Sequence, residues 1–169
     1  TIETQSAQDL LVDGTNLYVA AQDSIVKYDL TNGERLAVAA FGAPSTISLA
    51  LSEDYLIAGN WFAPFGFVGP YQNHLRVFDR ETLAFVDSLP ELTQPAKELL
   101  VVGDTLYVTQ NLTSSAFADS AGWVVKIDLA TLTLADSIAV NQNGEDVGRF
   151  LWQDSVIYTL NGGSNTVST

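Results

Sequence analysis

The chain has 169 residues, 47% of them apolar and only 16% charged, and its seven basic residues against twenty acidic ones leave a net charge of −13. That length suffices for a sizeable core and that apolar content excludes disorder, while so acidic a field repels nucleic acid and anionic membrane surfaces. There is no cysteine and a single histidine, His74, which excludes disulfides, thiolate chemistry and zinc sites rich in Cys or His.

The first elements are short strands. Asp9–Val12, Leu17–Ala20, Ser24–Asp29 and Arg35–Ala40 are four to six residues long and rich in Leu, Val, Ile and Tyr. Asp13-Gly14, Gln22-Asp23 and Thr31-Asn32-Gly33 separate them with turn chemistry. The order returns in Glu98–Val102, Leu106–Gln110, Trp123–Asp128 and Leu134–Val140. No window keeps a 3.6-residue apolar period over three turns, so no long helix is predicted. No apolar run reaches the length of a membrane-spanning helix.

The return is a repeat. TQSAQDLLVDGTNLYV, from Thr4, matches TQPAKELLVVGDTLYV, from Thr93, at ten of sixteen positions without a gap. An apolar run ending in Asp recurs as IVKYDL, LRVFDR and VVKIDL, which places Asp29, Asp79 and Asp128 at intervals of 50 and 49 residues. A third marker is LYVA at Leu17, YLIA at Tyr55, LYVT at Leu106 and IYTL at Ile157. The unit is therefore about 50 residues with four strands, which describes a blade of a β-propeller. An immunoglobulin-type sandwich has similar strands and turns but no fixed-period self-match.

The predicted fold is all-β: one propeller domain over 1–169, with blades over 4–40, 46–89 and 93–140 and part of a fourth over 147–169. Thr1-Ile2-Glu3 aligns with the end of a fourth strand, and Ser164–Thr169 reads as a third strand that stops before its Asp. Propellers close their sheets into a ring. The expectation is a piece of a polypeptide of about 300–400 residues with six to eight blades.

The unit LYVA…IVKYDL…LAVAA, with SNTVS near the chain end, resembles the YVTN-type β-propeller family, whose consensus blade runs LYVaN…sNtVsviD…vvatipvG. The chain departs from it in lacking a glycine-proline blade junction in most units and in carrying two long insertions. The resemblance implies a ring of usually seven blades in an exported binding or scaffold protein. It also implies an extracellular or outer-membrane location, with a lipid anchor on an N-terminal segment. Related propellers of Bacteroidetes-type bacteria capture nutrients, cobalamin included, for an outer-membrane transporter. Asp followed by Ser or Thr and an apolar residue occurs six times, at Ser24, Ser88, Thr105, Ser120, Ser137 and Ser155. This is similar to the O-glycosylation sequence of exported Bacteroidetes proteins. Asp-Ser is also a good turn pair leading into a strand.

Candidate binding residues gather on one face. Between the second strand and the repeated Asp, the first unit spans 12 residues, the second 24 and the third 22. Long loops on a rigid scaffold are where binding residues concentrate. The second unit's insertion holds Trp61, Phe62, Phe65, Phe67 and Tyr71, followed by His74. Rigid aromatic side chains suit flat ligand faces or protein partners; the alternative is a loop packed on itself. The third unit's insertion, Asn111–Gly122, reads as a surface loop with Phe117. Phe41, Lys97 and Arg149 lie at blade junctions near the same face, where pairing of the two cations with Glu98 and Asp146 competes with ligand contact.

Catalysis finds little support. A lone His74 makes a poor triad, no phosphate or calcium loop appears, and the repeated aspartates read as turn caps. The sequence calls for no metal and no cofactor. The reading is a non-catalytic surface module that binds a small-molecule nutrient, a carbohydrate or an outer-membrane transporter. The alternatives are a propeller hydrolase or lyase of the lactonase kind, and a structural or adhesion scaffold.

Overall fold

Short runs of β-branched and aromatic residues fit a pleated, half-buried surface, and here they assemble into four antiparallel sheets. The computed structural model describes residues 7–21, 24–40, 46–60, 75–89, 92, 96–113, 119–141, 146–162 and 167–168; no helix occurs among them. The first sheet is β1 (Ala7–Asp13), β2 (Asn16–Ala21), β3 (Ser24–Asp29) and β4 (Arg35–Ala40). The second is β5 (Thr46–Leu51), β6 (Tyr55–Asn60), β7 (Arg76–Asp79) and β8 (Phe85–Ser88). The third is β9 (Ala96–Val102), β10 (Thr105–Thr113), β11 (Asp119–Asp128) and β12 (Thr133–Asn141). The fourth is β13 (Asp146–Gln153), β14 (Val156–Gly162) and β15 (Val167–Ser168). Every sheet meanders in chain order, as hairpin connections dictate.

The sheets pack face to face in succession. Tyr18, Ala20, Ile25 and Ala39 of the first bury against Leu49, Leu56, Ala58, Phe78 and Leu83 of the second. Ala50, Ile57, Leu75 and Val77 of the second bury against Leu106, Val108, Val125 and Ile127 of the third. Each fully buried Leu, Ile, Val or Phe contributes about 1.5–3 kcal/mol. The first strands form the inner edge: β1 packs beside β5, β5 beside β9 and β9 beside β13.

Polar groups fix the seam between the first two sheets. Lys27 is buried, and its Nζ donates to the carbonyls of Arg80 (3.3 Å) and Glu81 (3.2 Å) and to Glu81 Oε2 (3.1 Å). Tyr18 Oη donates to the same Arg80 carbonyl at 3.1 Å. Arg80 in turn bonds the Asp13 carboxylate and the Ser52 carbonyl.

The repeated aspartates cap the turn after the third strand of their sheets. Asp29 Oδ1 accepts from the Thr31 N–H (2.7 Å) and hydroxyl (2.6 Å). Asp79 Oδ1 accepts from the same two groups of Thr82, at 2.7 and 2.6 Å. Asp128 Oδ1 accepts from the N–H groups of Ala130 and Thr131, at 2.8 and 2.9 Å. Four residues beyond each Asp the chain enters the left-handed region, with φ of 77° at Gly33, 57° at Leu83 and 54° at Leu132. Glycine takes that conformation freely; the two leucines hold it with their side chains packed into the cores.

Two expectations are corrected. Asp29 pairs with Asn16 and Asp128 with Thr105, but Asp79 pairs with Tyr55. The counterpart of Leu17 in the second sheet is thus Leu56, not Tyr55. YLIA is apolar at every position, so alternation gave it no phase. The loop expected over Asn111–Gly122 is mostly strand: β10 runs to Thr113 and β11 starts at Asp119, with Asn111 opposite Gly122 and Leu112 opposite Ala121. Backbone pairing outweighs the weak β propensity of Asn, Ser and Gly there.

Candidate functional site at the mouth of the inner strands

All four inner strands break register near their starts, between Ala7 and Asp9, between Thr46 and Ser48, opposite Val108–Gln110 of β10, and between Val147 and Phe150. A bulge bends a strand and re-aims its side chains. Past the break all four sheets share one register, in which Leu10 pairs with Val19, Leu49 with Ala58, Leu99 with Val108 and Phe150 with Thr159. The residues just before them, Asp9, Ser48, Glu98 and Arg149, therefore occupy one repeat position in four sheets.

These positions interact across the sheets. Arg149 Nε lies 3.8 Å from Glu98 Oε1; the Arg149 side chain is 86% exposed and that of Glu98 33%. Burial pushes the Glu98 carboxyl above the usual carboxylate range, Asp9 adds to the rise, and Arg149 and Lys97 act against it. Asp9 Oδ2 accepts from the Leu49 N–H at 2.7 Å, tying the first sheet to the second. Glu98 N–H donates to Thr109 Oγ1 at 3.0 Å.

Asn111 and Gly122 support this mouth. The Asn111 carboxamide bonds both backbone groups of Val147, and a Cβ at Gly122 would run into Val147 Cγ2. No motif in the chain points to this role of Asn111, because its partner lies 36 residues away.

The other end of the inner strands differs. A cavity of about 530 Å³ there is lined by Asp13, Ser52, Glu53, Arg80, Leu99 and Val101 among others. Its cation is already committed, since Arg80 is held by Asp13 and the Ser52 carbonyl. A smaller, mainly apolar gap of about 330 Å³ lies between the third and fourth sheets, lined by Tyr107, Val124, Ile138, Ile157 and Thr159.

Of the residues proposed from sequence, Lys97 and Arg149 come to the mouth, with Glu98 as the partner of Arg149. Phe41, Trp61, Phe62, Phe65, Phe67, Tyr71 and His74 lie outside the described residues, as does Phe117. Among the Asp-Ser/Thr positions, Ser88, Ser137 and Ser155 are exposed and Ser24 and Thr105 half-buried; the Ser120 side chain lies outside the described set. Ser24 Oγ donates to the Ala21 carbonyl at 3.2 Å. The carboxylates of Asp87 and Asp136 accept from the N–H of the following serine, at 2.7 and 2.8 Å, which is the turn role of an Asp-Ser pair. Among the described residues no group of His, Asp and Glu is placed to hold a metal.

No protein-family model matches the chain, and no curated protein matches it. Solved structures do. The computationally designed Ika4 protein superimposes with a TM-score of 0.76 at 13% identity, covering 99% of this chain and 93% of that one. BamB from Moraxella catarrhalis gives a TM-score of 0.63 at 16% identity over 89% of this chain and 38% of its own. The computationally designed Ika8 protein gives 0.57 at 12% identity, over 94% of this chain and 56% of its own. At such identities the likeness concerns the fold alone. With the meandering sheets, three of them four-stranded, and their serial packing it defines the class: this chain has a β-propeller fold.

Proposed function

We propose that the chain is a non-catalytic binding module of the YVTN-type propeller kind. It is exported and works at the cell surface, where it captures a small-molecule nutrient or carbohydrate or contacts an outer-membrane transporter. The observation that carries the reading is the meeting of Asp9, Glu98 and Arg149 at the start of three inner strands. Glu98 is half-buried there, and Arg149 is exposed, in a long ion pair with it among the described residues. An exposed pair of this length is worth under about 1 kcal/mol, so a ligand carboxylate or hydroxyl displaces it at little cost. β10 continues past the start of β9 to Thr113, paired with β11.

The test is a binding screen of glycans, macrocyclic cofactors and candidate surface proteins, followed by Trp61→Ala, Phe65→Ala and Arg149→Ala. Each substitution weakens the ligand found by about tenfold or more, equivalent to 1.4 kcal/mol, with the melting temperature little changed. A large melting loss with unaltered affinity opposes the reading. One observation favours a second reading, a propeller hydrolase: burial raises the Glu98 carboxyl and the like charge of Asp9 adds to the rise, as in acid–base pairs. Turnover that falls with Glu98→Gln in a panel of lactones and glycosides would select it.

A further inference from the structure

Arg149 and Glu98 meet at the mouth without a direct bond. Arg149 Nε stands 3.8 Å from Glu98 Oε1, beyond hydrogen-bonding range. A guanidinium is a planar fork of donors shaped for two parallel bonds to a carboxylate, and such charge-assisted bonds are roughly twice as strong as neutral ones. Glu98 does not supply them from its place. Its backbone N–H is committed to Thr109 Oγ1 at 3.0 Å, and Thr109 is fully buried, which pins Glu98 to β10.

The surrounding charges decide what the mouth can hold. A chain of net charge −13 repels anions at a distance, so an anion is held only where cations dominate locally. Lys97 and Arg149 are two of the seven basic residues, and both act on Glu98. Asp9, from β1, is the opposing charge. Its two carboxylate oxygens accept from the Leu10 N–H at 2.8 Å and the Leu49 N–H at 2.7 Å. Neither β5 nor the facing Thr109 of β10 adds an ionisable group. Of the carboxylates acting here among the described residues, Glu98 is thus the one that competes for Arg149.

We propose that the ligand of this mouth is a small carboxylate, which Arg149 takes in place of Glu98, and that protonation of Glu98 releases Arg149 to it. This rests on the binding reading above and adds the ligand's charge and its dependence on pH. Burial and Asp9 favour the protonated Glu98 carboxyl, while Arg149 and Lys97 oppose it. A ligand that draws Arg149 away removes one opposing charge, so binding and proton uptake reinforce each other.

The test titrates the 169-residue chain with D-glucuronate, with N-acetylalanine as a mimic of a peptide end, and with neutral D-glucose. Amide chemical shifts in β9 and β13 are followed at pH 7.5 and pH 5. At least one acid binds, and which one does tells a sugar acid from a peptide end. Binding tightens by about threefold or more at pH 5, where a ligand carboxylate stays ionised and a raised Glu carboxyl begins to take up protons. Glu98→Gln binds as tightly at pH 7.5 as the wild type does at pH 5 and loses the pH dependence. Arg149→Gln binds neither acid at either pH, and the same spectra show that both variants fold. Glucose shifting these strands while both acids leave them still keeps a binding mouth and overturns the carboxylate. No response to any of the three at about 10 mM overturns it too, whereas the binding reading then stands or falls on the wider screen. Acid tightening that survives Glu98→Gln assigns the effect to another group and overturns the release by Glu98.

Discussion

The side-chain amide of Asn111 on β10 closes a two-bonded ring with the backbone of Val147 on β13, donating to its carbonyl at 3.2 Å and accepting from its N–H at 2.8 Å. Asn111 is buried, so its loss leaves a buried amide and carbonyl unpaired. Asn111→Ala lowers stability by about 2–4 kcal/mol. Gly122→Ala lowers it by about 1–3 kcal/mol through overpacking on Val147, a stiff β-branched neighbour. Urea unfolding of both single variants and the double variant gives less than the sum of the two losses, because they share Val147.

The acid limb of stability should reflect the three turn aspartates. The side-chain hydrogen bonds from Thr31 and Thr82 chiefly hold Asp29 and Asp79 below their ordinary value of 3.8, and the backbone bond from Thr131 does so for Asp128. A carboxyl depressed in the folded state contributes stability that is complete above its unfolded value and lost as pH falls through the folded one. Asp79→Ala is therefore most destabilising near neutrality, and its deficit shrinks as pH drops below 3.8. Glu98 has the opposite sign. Its raised carboxyl costs stability at neutral pH, a cost relieved as protons bind. Glu98→Gln should raise the melting temperature slightly at pH 7 and lose that advantage by pH 4. Melting curves of both variants from pH 2.5 to 8 read the two slopes.

The β13–β14 turn is strained where its counterparts are not. Asp154 and Ser155 both have positive φ, 51° and 65°, while the matching turns of the first and third sheets place Gly14 and Gly103 in that region. Two consecutive residues with positive φ suit Asn-Gly. Replacing Asp154-Ser155 by Asn-Gly stabilises the fourth sheet by about 1–2 kcal/mol, read as slower amide exchange in β13 and β14. No gain would show that the turn relaxes in solution.

What was legible in the sequence was whatever local chemistry repeats. Asp29, Asp79 and Asp128 announced their turns because the capping threonine or N–H lies two or three residues away. Phase was lost where apolarity is continuous, as in Tyr55–Ala58, and strand length was lost where polar residues pair through their backbones, as in β10 and β11. Arg149 and Glu98 are legible from their junction positions, whereas Asp9 joins them only through the register of the inner strands. Asn111 had no signature, since its function depends on a sheet-to-sheet approach that no spacing records.

The claim on which the site rests is that inner-strand positions of different sheets open on one mouth. The chain has no cysteine, so a pair of introduced thiols reports without background. Glu98→Cys with Arg149→Cys should be linked rapidly by a short bifunctional maleimide. Glu98→Cys with Ser137→Cys, three strands apart within the third sheet at about 4.8 Å per strand, should not. Failure of the first pair, or equal linking of both, would contradict the arrangement.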